Sequence, residues 1–241
     1  MRAGGSEKLP STLGPAPGRI TKRKVLIVNW TTTYVFATAL AQLPATAGLA
    51  QMATAAGSGT PATAPACLAA PPGMVSWWPG DSNEKDVIGG NNPSSVSGVT
   101  LVPGEVLDGF TFGSGGYIQI PAAANLANQQ FTWAAWAEPE GPGPTNDKYG
   151  SVIIVQDTDQ YNDVVALDWS AQSNQFNFVF GNQAGEAIFS TDTFQAGSFY
   201  FVAGTYDGTT FQLYVSGTLE GSYSEAKTIG YTSLPWMIGS R

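Results

Sequence analysis

The chain has no histidine and a single cysteine, Cys67, in 241 residues. Without histidine there is no Ser-His-Asp triad, no histidine-activated thiol and no histidine-ligated zinc. With one cysteine no disulfide closes within the chain. Charge is scarce as well: 12% of residues are Asp, Glu, Lys or Arg, about half the usual share. Bases are scarcer still outside the N-terminus. Residues 48–241 carry four (Lys85, Lys148, Lys227, Arg241) against 17 acids. A body of that sign repels phosphate backbones, which argues against nucleic acid as a partner. No helical period is sustained beyond the N-terminal segment.

What is present falls into three parts. Residues 1–50 read as an N-terminal extension and secretory signal. A basic cluster, Arg19 to Lys24, precedes VLIVNWTTTYVFATALAQ and the small residues Ala45-Thr46-Ala47, so cleavage is expected near 47–50. Asn29, the threonine run, Gln42 and Pro44 make this a poor permanent span, so no stable membrane span is expected after cleavage. The implied location is secreted, extracellular or cell surface. Residues 51–72 are rich in Ala, Thr and Pro and read as a linker. The folded domain is predicted over 73–241.

Within it, short β-like runs alternate with turn signals. They lie at 74–78, 99–102, 110–112, 117–120, 131–137, 151–156, 164–169, 176–180, 187–191, 199–205, 211–216 and 219–223. Phe211, Leu213 and Val215 alternate with Thr210, Gln212 and Tyr214, while Phe176, Phe178 and Phe180 alternate with Asn177 and Val179. Period two with one apolar phase is the mark of a sheet buried on one face. Asp207-Gly208 and Ser216-Gly217 supply hairpin turns. The predicted class is all-β, a two-sheet antiparallel sandwich.

Four blocks carry a resemblance: VSWWPGDSNEKDVIGGNN (75–92), GGYIQIP (115–121), FTWAAWAEP (131–139) and FYFVAGTYDGTTFQLYVSGTLEGS (199–222). Together they resemble the LamG-like jelly-roll domains of the concanavalin A-like lectin/glucanase superfamily, above all the bacterial secreted kind. The resemblance implies a jelly roll over 73–241 and a recognition role. Some positions depart from the family pattern. Phe199-Tyr200-Phe201 stands where Trp-Tyr-His is usual, and Ser216 where Asn is usual. Gly113-Ser-Gly-Gly116 replaces an Asp-rich stretch. The family's further strand of the type GxIDEVRIY does not follow Trp236-Met-Ile-Gly239, so the domain is expected to lack its final strand.

Three chemistries are open to such a domain. Glucanases of this superfamily resemble one another in an E-x-D-x-E strand that holds two carboxylates roughly 5–5.5 Å apart. Here the nearest approach is Glu138-Pro139-Glu140, which reads as a solvated strand end. The acidic stretch with Asp157, Asp159 and Asp163 offers oxygen ligands for Ca2+, with Asp168 at a closing spacing, although Tyr161 and the missing turn glycine break the calcium-loop pattern. Carbohydrate contact needs aromatic faces with amides or carboxylates nearby. Tyr161, Trp169 and Trp78 are the candidate ligand-binding residues, and one of the neighbours Trp77 and Trp78 must face outward.

The expected function is therefore a non-catalytic extracellular module binding a glycan or a protein surface. The alternatives are a glycan-degrading enzyme and a structural or adhesion spacer of a larger surface protein. The missing strand predicts an unpaired edge, with lowered stability and self-association. A cooperative melt from a clean monomer in sedimentation would count against that expectation.

Overall fold

The computed structural model describes residues 20–26 (backbone only), 70–139, 151–157, 163–181 and 186–239. The predicted cleavage region, Cys67, Glu140, Asp159 and Tyr161 lie outside them.

All regular structure among the described residues is β. The strands are β1 (Ile20–Leu26), β2 (Ser95–Pro103), β3 (Asp108–Ile120), β4 (Phe131–Pro139), β5 (Ser151–Asp157), β6 (Asp163–Ser170), β7 (Gln175–Val179), β8 (Ala187–Phe189), β9 (Tyr200–Tyr206), β10 (Thr210–Val215), β11 (Thr218–Ser224) and β12 (Trp236–Gly239). They pair antiparallel along one path, β11-β10-β9-β4-β1-β3-β12-β5-β6-β7-β8, with β2 added to β3. The path doubles over, so that β8 lies against β11 and β7 against β10. The result is the expected two-layer jelly-roll sandwich.

The corner between the layers is made by β2 and β3. The first half of β3 meets β1 at Phe110, and its second half, Ile118 to Ile120, meets β12. The register of β2 against β3 shifts between Ser97 and Val99. At that shift a Cβ on Gly116 would lie 2.5 Å from the Gly98 carbonyl oxygen, so the two backbones approach too closely for any side chain. This explains Gly116, while Gly115 holds a φ of 65° that favours glycine, and together they turn one long strand from one sheet into the other.

Alternation sets the core as expected. Phe211, Leu213 and Val215 of β10 face Phe176 and Phe178 of β7 across the sandwich, together with Phe131, Trp133, Ile118 and Trp236. Phe211 stacks on Tyr206 at 3.8 Å and on Phe180 at 4.0 Å. Gly204 on β9 leaves room for the Phe178 ring, whose atoms would lie 2.9–3.0 Å from a Cβ there.

Two segments differ from the sequence reading. Residues 74–78 form a single bridge at Trp78, not a strand. The physical reason is Asp86. Its buried carboxylate accepts N–H bonds from Trp77 (2.9 Å), Ile88 (2.9 Å), Gly89 (3.1 Å to each oxygen) and Asn91 (2.9 Å). These donors are thereby withdrawn from any strand ladder, and the 75–92 block becomes a loop wound about one side chain. The second difference is at the N-terminus. Ile20–Leu26, read from the sequence as part of the basic leader, forms a strand between β3 and β4. It has six register pairs with β4, from Ile20 opposite Pro139 to Leu26 opposite Ala134, and one with β3, Arg23 opposite Phe110.

The turn between β10 and β11 places Ser216 at φ 49° and Gly217 at φ 84°. That pair of positive angles suits Asn-Gly better than Ser-Gly. Ser216→Asn should stabilise the domain by about 0.5 kcal/mol in denaturant titration.

Asp86 gives a pH test. Burial works against its charge, but the backbone donors from Trp77, Ile88 and Asn91 outweigh it and hold the carboxyl below its ordinary value. A carboxyl lowered on folding stabilises above its unfolded pKa, about 3.9, and that contribution is lost as pH falls through the folded value. Asp86→Ala should cost about 3 kcal/mol at pH 7, because it leaves four backbone donors unsatisfied. The gap in Tm between Asp86→Asn and the parent should narrow below about pH 4.

Candidate functional site

The outward phase of the first sheet is the complement of its core phase. On β4, Phe131, Trp133, Ala135 and Ala137 point into the core, leaving Thr132, Ala134, Trp136 and Glu138 on the other face. On β9 that face holds Phe201, Ala203 and Thr205. On β10 it holds Thr210, Gln212 and Tyr214.

Register lines these residues up in three rows across the strands. Trp136 is opposite Phe201, and their rings meet edge to face at 5.4 Å. Ala134, Ala203, Tyr214 and Leu219 form the next row. Thr132, Thr205, Gln212 and Ser222 form the third. The alanine row is low, since a methyl group stands where its neighbours carry rings, hydroxyls and an amide. Ala134, Ala203 and Thr132 are themselves buried, so the trough has an aromatic wall of Trp136 and Phe201, a polar wall of Thr205 and Gln212, and Tyr214 at one end. The Tyr214 hydroxyl donates to Gln212 Oε1 at 3.1 Å, which fixes both side chains. Desolvation raises the Tyr214 pKa, so the phenol stays a neutral donor and acceptor in ordinary buffers. Trp136, Phe201, Tyr214, Thr205 and Gln212 are half-buried, so each keeps part of its surface open to solvent.

The corresponding face of the second sheet is closed. Val152, Val155, Ala166 and Val179 form a separate buried apolar cluster there. Between them Asp168 of β6 sits opposite Asn177 of β7, both 0% exposed. Among the described residues no hydrogen bond reaches the Asn177 amide. Solvent does not reach this pair, so it offers no open contact surface.

The residues singled out from the sequence are placed as follows. Trp78 is 0% exposed and Trp169 is 1% exposed, and both belong to the central core. The Trp78 ring N–H donates to the Asn91 carbonyl at 2.9 Å, and the Trp169 ring packs on Phe176 at 4.9 Å. Their faces are taken up by protein, which corrects the expectation that they contact a ligand. Trp77 is the outward neighbour, half-buried, as the alternation required. Tyr161 lies outside the described residues. Asp157 and Asp163 are opposite each other at the end of the β5–β6 pair, both buried. Asp159 again lies outside the described residues, and among those described no group of three or more His, Cys, Asp or Glu is placed to hold a metal.

Trp136, Phe201 and Tyr214 were the readable signal that the sequence reading passed over. Trp133 and Trp136 are three apart on one strand, so they must face opposite ways. Tyr214 falls in the polar phase of an otherwise clear alternation. An aromatic out of phase with the core marks a surface contact more sharply than its distance from an acidic stretch.

The architecture has known counterparts. Comparison with curated proteins gives no match. Among solved structures, domain 4 of AbnA, an extracellular GH43 arabinanase from Geobacillus stearothermophilus determined with arabinotriose, is similar with a TM-score of 0.53 and 13% identity. That match covers 67% of this chain and 80% of that one. Botulinum neurotoxin type C is similar with a TM-score of 0.52 and 16% identity, over 69% of this chain and 42% of the toxin chain. At such identities the likeness shows the fold. A family model described as the concanavalin A-like lectin/glucanases superfamily matches residues 112–241. The match takes in the corner glycines, the trough strands and the hairpin at Ser216, and with more than half its length inside that family model the chain belongs to the concanavalin A-like lectin/glucanases superfamily.

Proposed function

We propose that this chain is a secreted, non-catalytic recognition domain that binds carbohydrate in the trough on the outer face of β4, β9 and β10. The observation that carries the reading is the row pattern: an aromatic wall and a polar wall on either side of an alanine floor. A pyranose or furanose ring has an apolar C–H face and a rim of hydroxyls. The first suits Trp136 and Phe201, and the second suits Thr205, Gln212 and the Tyr214 hydroxyl. The sparse charge of the surface favours a neutral glycan over a phosphorylated one. Two similar folds support the ligand class: the arabinanase domain was determined with arabinotriose, and cell entry of the neurotoxin depends on interaction with two ganglioside molecules. The basic and apolar N-terminal segment supports export.

The test is a glycan array with the full chain, in calcium and again in chelator, followed by titration of the best binder. Trp136→Ala and Tyr214→Ala should each weaken binding about tenfold or more, roughly 1.4 kcal/mol, with Tm little changed. Binding untouched by both substitutions would remove the trough from consideration. Loss of binding in chelator alone would move the site to the turn between Asp157 and Asp163 and make calcium part of it. Release of new reducing ends from the bound oligosaccharide would replace the non-catalytic reading with a glycan-degrading one.

A further inference from the structure

We infer that the trough continues past Tyr214 onto β11, where Leu219 is a second contact platform, and that the bound species is a neutral oligosaccharide of three or more units lying across the strands. The inference rests on the carbohydrate reading of the trough and says what kind of glycan it takes. Register carries it first. Leu219 is the partner of Tyr214, and Ser222 is the partner of Gln212. On the next strand they continue the row of Ala203 and Tyr214 and the row of Thr205 and Gln212. Leu219 is 49% exposed, and Ser222 is exposed as well. The edge strand thus repeats what the trough has further in, an apolar group beside a hydroxyl. From β4 to β11 is three strand spacings, roughly 14 Å. One unit of an extended glycan advances by about one such spacing, so the Trp136–Phe201 wall and Leu219 meet units two to three places apart in the chain. The sheet path ends at β11, so a longer chain gains no further strand to lie on.

A single exposed leucine is ordinary on a protein surface. This one is presented by a built device. The register of β10 against β11 shifts between Leu213 and Tyr214, which makes Glu220 an extra residue on β11. Gly221 stands opposite the core-facing Leu213. Strict alternation back from Gly221 would put Leu219 in the core phase, and the extra residue returns it to the outer one. The bulge is locked to the other layer. The Glu220 carbonyl accepts from the Thr191 N–H at 3.1 Å and from the Thr191 hydroxyl at 2.6 Å, and its carboxylate accepts from the Asp192 N–H at 2.9 Å. A Cβ on Gly221 would lie 2.3 Å from Ile188 Cγ2, so β11 is seated directly on β8 there. Glu220 is therefore a positioning residue for Leu219. No lysine or arginine occurs in β9, β10 or β11, so acidic sugars between Phe201 and Leu219 gain no ion pair and a neutral chain is favoured.

The test is calorimetric titration of the full chain with gluco-, xylo-, manno- and galacto-oligosaccharides of one to six units, repeated on Leu219→Ser, Glu220→Ala and Trp136→Ala. In the series that binds, affinity should rise at least tenfold from two units to four and stay level beyond. Leu219→Ser should remove at least fivefold of that gain and leave the disaccharide within twofold. Glu220→Ala should show the same length-selective loss, and Glu220→Gln, which keeps an oxygen for the Asp192 N–H, should restore it. Leu219→Ser changes an exposed side chain, so it tests the inference whatever Glu220→Ala does to folding. Trp136→Ala should weaken every length. Equal affinity for disaccharide and tetrasaccharide overturns the inference, as does a Leu219→Ser protein that keeps the whole gain. If Trp136→Ala still weakens binding in those cases, the trough reading stands without its extension. A Leu219→Ser protein that loses every length alike also overturns it, because Leu219 then belongs to the first contact. Binding indifferent to Trp136→Ala, or no binding by any series, removes the trough reading and this inference together.

Discussion

The two sheets are joined at Phe211. Its ring lies between Tyr206, its cross-strand neighbour, and Phe180, which comes from the opposite layer. Two nearly parallel rings at 3.8 and 4.0 Å are a contact that sliding one layer over the other would break. The Tyr206 hydroxyl extends the lock outward by accepting from the Lys227 N–H at 2.6 Å and donating to the Lys227 carbonyl at 2.8 Å. The segment after β11 is thereby tied to the same stack. With this contact set, β9 and β10 have a fixed inner phase, and their outer phase follows without freedom: Phe201, Ala203, Thr205, Gln212 and Tyr214 must share the trough.

The crossover from β11 to β12 is held in a different way. Residues 225–235 have no ladder of their own, so side-chain amides act as substitute peptide groups. Gln129 donates to the Ile229 carbonyl and accepts from the Ile229 N–H. Gln156, buried at the end of β5, donates to the carbonyls of Thr232 and Leu234 and accepts from the Thr232 N–H. A glutamine side chain carries both a donor and an acceptor, so a single residue can satisfy both sides of a backbone unit. These anchors deliver Trp236 to the gap between β3 and β5, where β12 closes the sheet path. Gln129 and Gln156, both near strand ends, thus hold the long connection that the sheet ladder leaves out.

Several features were legible before any coordinates. The alternation in 210–215 and 176–180 gave both the strands and their inward faces, because period two ties a residue's neighbour to the opposite side of the sheet. The glycines at 113–116 stood out as a departure from the family, and the structure supplies their reason in the close approach of Gly116 to Gly98. The choice of Trp78 and Trp169 as contact residues did not hold, since residue type says nothing of phase. Trp169 shares its phase with Leu167 and Val165, and all three lie in the core. Residues 74–78, at the start of the loop about Asp86, were read as a strand because their apolar residues imitate one. The competing signal, a single carboxylate that gathers four backbone donors, depends on contacts up to nine residues away.

From the amino-acid sequence alone came the all-β class, the inward faces of 176–180 and 210–215, the hairpin turns at Asp207-Gly208 and Ser216-Gly217, and the absence of histidine-dependent chemistry. All of these are local, settled by neighbours within a few residues. The tertiary structure decided which strands lie side by side. It set Trp136 against Phe201, the alanine row against Tyr214, and Ile20–Leu26 into a gap more than 80 residues away in the chain. Pairing of that kind follows from the shared burial of distant segments and the need to satisfy every buried backbone group, and neither leaves a mark in the sequence around any one residue.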